Sequence, residues 1–283
     1  MERTMNAGTD KKVALVTGAS SGMGHATALR LHEAGFVVYG AARRVERMHD
    51  LRSSGLKTLA MDVTDEASTA QGVTQILAEA GRIDVLVNNA GYGAYGAVED
   101  VPLDEARRQF EVNMFGAARL IQLVLPTMRE RRSGTIINIT SMGGKIYSPF
   151  GAWYHATKFA LESFSDCLRL EAEPFGVNVV VIEPGSIRTE WTGIAAHNLL
   201  ESSSAGAYAD RTAKVVELMQ SERTARQASP PEMVAKVVVK AATTRRPKTR
   251  YAVGFGARPL IFLRKRLSDR AFDSLMRRSV GLS

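Results

Sequence analysis

Tyr154 and Lys158 stand four residues apart in the stretch WYHATKFA (153–160), and on a helix that spacing places both side chains on one face, about one turn apart. A phenol and an ammonium so placed can work as an acid/base pair. Tyrosine alone, with an ordinary pKa near 10, is a poor base at neutral pH. A lysine ammonium about 4 Å away, at an effective dielectric near 20, favours the phenolate by on the order of 4 kcal/mol, which predicts a phenol drawn down towards physiological pH. The chemistry this suits is removal of a proton from an alcohol oxygen while hydride leaves carbon, or the reverse at a ketone. The spacing by itself is weak, because a core tyrosine beside a snorkelling lysine has the same pattern.

Hydride needs a carrier, and TGASSGMG (17–24) offers a place for one. Gly18, Gly22 and Gly24, with Ser20, Ser21 and Met23 between and beside them, lie on the turn between a short apolar run, VALVT (13–17), and a helical pattern. Such a turn lets the backbone approach a pyrophosphate while helix-terminal N–H groups face its charge. Where an NAD site usually places a carboxylate to hold the ribose 2′-OH, at the end of the second strand, this chain has Ala42 followed by Arg43 and Arg44. Nothing there repels a 2′-phosphate, and a guanidinium can bind one bidentately, so the expected cofactor is NADP(H).

The elements that must hold these groups follow from the apolar pattern. After VALVT come FVVYGAA (36–42), LKTLAMDV (56–63), IDVLVNNA (83–90), TIINITS (135–141), VNVVVIEPG (177–185) and TRYAVGF (249–255), each a short continuous apolar run. Helical stretches separate them, near 66–80, 103–130, 152–174 and 230–243. Continuous, β-branched strands alternating with helices predict an α/β domain, doubly wound, with a mostly parallel sheet of about seven strands and helices on both faces. Residues 186–229 break the alternation with two or three short helices around ESSSAGAYAD (201–210), and their place after a late strand suits a substrate loop or lid.

Further polar residues fall at the expected strand ends. NNAG (88–91) closes the fourth strand, Asn113 lies in the long helix, Ser141 ends the fifth strand, and PGSIRT (184–189) follows the sixth. Taken in this order and spacing, TGxxxGxG, NNAG, Ser141, Tyr-x-x-x-Lys and PGxIxT closely resemble the short-chain dehydrogenase/reductase family over roughly residues 11–190. The segment RYAVGFGARPL and the helix after it look similar to the branch with estradiol 17β-dehydrogenases and retinol dehydrogenases.

The resemblance implies a Rossmann fold and assigns roles. Tyr154 would be the acid/base, Lys158 would also hold the nicotinamide ribose, Ser141 would bind the substrate oxygen, and Asn113 would anchor a water relay behind Lys158. Asp62, with Val63, would meet the adenine. Asn88, Asn89, Ala90 and Gly91 would line the cofactor, as would Pro184 and Gly185, while Ile187 and Thr189 would contact the carboxamide. All four catalytic positions of the family are filled. The family likeness also implies a homodimer or homotetramer built on the helices starting near 103 and 152. The alternatives are a non-catalytic NADP(H)-binding sensor, or a reductase of small or polar carbonyl compounds.

Met142, Tyr147, Trp153 and Trp191, with Tyr95, Phe150 and Tyr208, surround the presumed site and suit a bulky lipophilic carbonyl compound such as a steroid, a retinoid or a fatty ketone. The net charge of +8 comes from one place: residues 245–283 carry 11 Lys and Arg against Asp269 and Asp273, and the other 244 residues sum to −1. That pattern argues against a general polyanion-binding protein. It leaves residues 259–283, expected as one basic amphipathic helix with Leu260, Leu263, Leu267, Ala271 and Leu275 on its apolar stripe, to pack on the domain, to touch a membrane surface, or to bind nucleic acid. Residues 1–10 are expected to be a flexible tail. A single cysteine, Cys167, and the lack of a long apolar run predict a cytoplasmic setting, and no cluster with metal-ligand spacing is evident.

Overall fold

The computed structural model describes residues 11–282, so the expected tail over residues 1–10 lies outside the described residues. Seven strands form one sheet: β1 (Val13–Thr17), β2 (Val37–Ala42), β3 (Lys57–Ala60), β4 (Val85–Asn88), β5 (Gly134–Ile139), β6 (Val177–Pro184) and β7 (Arg250–Val253). Their order is β3-β2-β1-β4-β5-β6-β7, and every pairing is parallel. Strands β1, β4 and β5 are buried along their whole length, which explains why their sequences are continuous apolar runs with no alternation.

Two apolar layers cover the faces. On one side lie α1 (Gly22–Glu33), α2 (His49–Ser53) and α10 (Pro231–Thr243), contributing Leu31, Leu51, Val234 and Val238. On the other lie α3 (Glu66–Ala80), α5 (Gly116–Glu130) and α6 (Ala152–Ala172), contributing Ile76, Leu120, Val124 and Leu168. The helical stretch expected over 103–130 runs as α4 (Leu103–Phe110), a π-turn over Glu111–Phe115, and then α5.

Beyond β6 the insertion folds as α7 (Trp191–Ser203), α8 (Ala209–Gln220) and α9 (Glu222–Gln227). The last segment differs from the expectation of a single helix over 259–283. It is two helices, α11 (Ala257–Arg266) and α12 (Asp269–Ser279), separated where Leu267 and Ser268 are extended, with ψ of 146° and 161°. The apolar spacing ran through the break because periodicity does not register two extended residues. The break re-aims the stripe: Phe272 and Met276 are buried against Ile146, and Leu260, Leu267 and Leu275 flank them. The segment therefore packs on the domain.

Candidate active site

The winding of the sheet reverses between β1 and β4, and in open parallel sheets the ligand crevice lies at the carboxyl ends of the strands at such a point. The loops that sequence reasoning singled out all leave these ends. At the first, Gly22 has φ +54° and a Cβ there would press on Thr189 Cγ2 at 3.0 Å, so the turn and the PGSIRT loop face each other closely. A Cβ on Gly24 would collide with the Gly18 carbonyl and Asn89 Nδ2. Ser21, at the N-cap of α1, makes no side-chain cap bond, and the first turn of α1 has no acidic residue. Helix N–H groups without a side-chain acceptor, in a positive field and beside serine hydroxyls, fit a bound pyrophosphate.

Asn89 uses its side chain on structure, donating to the Thr17 carbonyl at 2.9 Å, and the Thr17 hydroxyl accepts from the N–H groups of Asn89 and Ala90, both at 3.0 Å. Thr17, which sequence reasoning did not assign, is thus the hinge pin between the ends of β1 and β4. Asn88 lies deeper and donates to Asn138 Oδ1. Arg43 and Arg44 are exposed just past β2, and neither has an ion-pair partner among the described residues. Arg47, a third arginine that the pattern did not flag, is paired with Glu190 at 2.6 Å and so links the second-strand loop to the start of the insertion. Asp62 accepts from Thr64 N–H and Oγ1; burial works against its charged form, but these bonds and the nearby Arg43 and Arg108 hold its pKa low. Val63 is buried, and its carbonyl accepts from Arg119. Pro184 ends β6, and Gly185 N–H donates to the Val253 carbonyl. The Ile187 side chain is buried with the α1 and α10 layer, and its backbone bridges to Ser229.

Ser141, Tyr154, Lys158 and Asn113 converge. A Cβ on Gly91 would stand 3.1 Å from Asn113 Oδ1 and 3.6 Å from Lys158 Nζ, so these side chains meet around one backbone position of the NNAG loop. Asn113 lies in the π-turn, an insertion typical of functional segments. It accepts from Tyr92 N–H at 3.0 Å and donates to the Tyr92 carbonyl and to Thr157 Oγ1. Ser141 Oγ accepts from Gly143 N–H at 2.9 Å, which fixes the hydroxyl at the end of β5.

The electrostatics correct one expectation. Tyr154 is buried, and burial pushes its pKa up to about 12, only partly offset by the neighbouring Ser141 hydroxyl. Lys158 stands beside the Tyr154 ring. Its Nζ lies 5.9 Å from the centre of the ring and donates to the Ile139 carbonyl at 3.0 Å, and burial lowers its own pKa to about 8 against the attraction of Glu162. Glu162, one turn further along α6, was not anticipated. It is buried, accepts from Thr140 Oγ1 at 2.6 Å, and pairs with Lys145 at 2.9 Å and Arg250 at 3.0 Å.

The proposed substrate residues divide into two groups. Trp191 packs on Tyr154 with ring centres 5.0 Å apart, and Tyr95 completes the group at 5.9 Å from Tyr154. Phe150 flanks them at φ +64°, an unusual backbone for a bulky residue, and meets the Tyr208 ring edge-on. Tyr147 and Met142 belong instead to the cluster under α11 and α12; Tyr147 donates to Asp273 at 2.9 Å and lies 5.3 Å from the Arg264 guanidinium. Trp153 is half-buried, but its ring is not among those stacked around Tyr154, and its indole N–H is buried without an acceptor.

This arrangement matches known proteins. The short chain dehydrogenase family matches residues 12–199. A 3-ketodihydrosphingosine reductase of Bacteroides thetaiotaomicron is 37% identical over 86% of this chain and 88% of its own. The crystal structure of a short-chain dehydrogenase from Streptomyces avermitilis is 35% identical and superposes with a TM-score of 0.79 over 96% of this chain and 98% of its own. A metagenomic short-chain oxidoreductase in complex with NADP is 28% identical, with a TM-score of 0.67 over 85% of this chain and 95% of its own. The chain belongs to the short-chain dehydrogenase/reductase family, and so is an oxidoreductase of a class that uses a nicotinamide cofactor. No helix among the described residues is long and apolar enough to cross a membrane.

Proposed function

We propose that the protein is an NADP(H)-dependent oxidoreductase that interconverts a ketone or aldehyde with an alcohol on a bulky lipophilic substrate, with Tyr154 as general acid/base. The observation that carries this reading is a buried tyrosine at the crevice floor, with Ser141 beside it, Lys158 behind it and Trp191 and Tyr95 over it. When bound, NADP(H) supplies or accepts the hydride. Gly18, Ser20, Ser21, Gly22, Met23 and Gly24 would hold its pyrophosphate, Arg43 and Arg44 its 2′-phosphate, and Lys158 its ribose. The two arginines, exposed and without an ion-pair partner among the described residues, and the NADP-bound relative support the choice of cofactor.

In reduction, the Tyr154 O–H donates its proton to the carbonyl oxygen as that oxygen gains charge, and Ser141 Oγ hydrogen-bonds the same oxygen. In oxidation, the Tyr154 oxygen takes the alcohol proton. Lys158 and the Asn113 side chain beside Gly91 would restore the proton from solvent. A lipophilic substrate is supported by the apolar rings and by Ala195, Ala196 and Leu199 of α7 in the same cluster. It is also supported by the Bacteroides relative, which is named for reducing a lipid ketone. We further propose a cytoplasmic setting, in keeping with the lone thiol Cys167.

The test has two arms. Tyr154→Phe keeps the ring and should retain NADPH binding, read by nucleotide fluorescence, while turnover of a fatty ketone falls by about 10²–10⁴-fold; near-parental turnover overturns the mechanism. The ratio of kcat/KM with NADPH to that with NADH should exceed unity and narrow in Arg43→Ala and Arg44→Ala; a clear NADH preference in the parent overturns the cofactor assignment.

A further inference from the structure

Helix α11 has one face on the domain and one turned to solvent, from which Arg258 Nε reaches back to donate to the Ala252 carbonyl at 3.3 Å. Ala257 is buried, Leu260 packs in the cluster with Phe272, and a Cβ on Gly256 would come within 3.9 Å of Met142 Sδ, so the start of α11 lies against the segment that follows Ser141. The opposite face runs through Arg258, Pro259, Phe262, Lys265 and Arg266, with Phe255 just before the N-cap Gly256, and all six are exposed. Phe255 is 49% exposed and Phe262 56% exposed, with the Arg266 guanidinium 5.2 Å from the centre of the Phe262 ring.

Helix stability does not account for this face. Lys265 and Arg266 lie in the last turn, where cations complement the helix dipole, but Arg258 lies in the first turn, where a cation opposes it and where no acidic residue compensates. An exposed phenylalanine is likewise costly in water, and among the described residues Phe262 joins none of the buried apolar clusters, its ring lying beside the Arg266 guanidinium instead. The following helix adds Arg270, Arg277 and Arg278, all exposed.

We propose that this face of α11 docks on an anionic lipid surface, with Phe255 and Phe262 entering the headgroup boundary and Arg258, Lys265 and Arg266 meeting lipid phosphates. Charge decides the occupant: a second copy of this chain would bring the same cations against themselves, whereas an anionic bilayer satisfies cations and rings together. Docking here sets the segment that follows Ser141, which α11 covers, on the lipid side of the molecule. The docking itself does not depend on the substrate assigned above.

Flotation of the full chain with phosphatidylcholine vesicles, with and without phosphatidylglycerol, tests it apart from catalysis. The protein should float with the anionic vesicles only, and less so as salt rises. Arg258→Gln and Arg266→Gln should each weaken binding roughly fivefold, and Phe262→Ser should weaken it while leaving the salt dependence in place. All three variants should keep the parental unfolding temperature and the turnover of a water-soluble ketone. Absence of flotation, flotation indifferent to these variants, a Phe262-dependent self-association, or capture of RNA in preference to vesicles overturns the proposal. Failure of flotation with fatty-ketone turnover intact would leave the function standing, and the reverse result would separate the two the other way.

Discussion

Burial moves the two members of the central pair towards neutrality from opposite sides: the Tyr154 phenol keeps its proton up to about 12, and the Lys158 ammonium sheds its own near 8. The sign of the pH dependence follows. An acid must be protonated to act, and the phenol is protonated throughout the neutral range, so kcat/KM for ketone reduction should stay level there until Lys158 loses its charge. A base must be deprotonated, a state that grows about tenfold per pH unit below the pKa, so kcat/KM for alcohol oxidation should rise with pH. Initial rates in both directions over a buffered pH series check this, and an oxidation rate that falls as pH rises would contradict it. The identities of these residues were legible in the sequence because order and spacing of motifs carry them. Their electrostatics were not, because spacing along a helix says nothing of the Ile139 carbonyl that holds Lys158, of Glu162 in its ring of cations, or of how deeply the phenol lies.

The sheet was the most readable part of the chain, since strands covered on both faces must be continuous apolar runs, and VALVT and VNVVVIEP became β1 and β6 almost to the residue. Two features had no such signal. The π-turn over Glu111–Phe115 and the two extended residues at 267–268 are departures of a residue or two from helical geometry, and an apolar stripe survives both. The insertion was read as a lid from its position alone; its attachment is visible only in the packing of Leu199, Val215 and Val216 with Trp191 and Tyr154. That attachment is testable. Leu199 is fully buried, and Leu199→Ala should cost about 2–5 kcal/mol of local packing. Hydrogen exchange should then speed up in α7 and α8, and KM for the carbonyl substrate should rise while the affinity for NADPH is kept. Loss of nucleotide affinity equal to the loss of substrate affinity would show that the insertion does not serve the substrate.

Exposed large apolar side chains are spread over the molecule, and four of them lie on α4, the π-turn and α6: Leu103, Phe115, Phe159 and Leu170 are 59%, 49%, 43% and 68% exposed. These are the helices that the family likeness assigned to a subunit interface, and covering such residues favours association. We expect a homodimer or homotetramer that falls to the monomer mass in Phe159→Glu/Leu170→Glu, read by sedimentation velocity; a monomeric parent would rule the interface out. This surface and the basic face of α11 are different patches, so assembly and lipid docking can be perturbed one at a time.

The bond from Tyr147 to Asp273 joins residues 126 positions apart. On a ribosome, the phosphate loop, the first strands and the Tyr154 helix emerge long before α11 and α12, and contacts of such separation form late. The docking of α11 and α12 on the domain is therefore a late event in the making of the chain, and the Tyr147–Asp273 bond marks its completion.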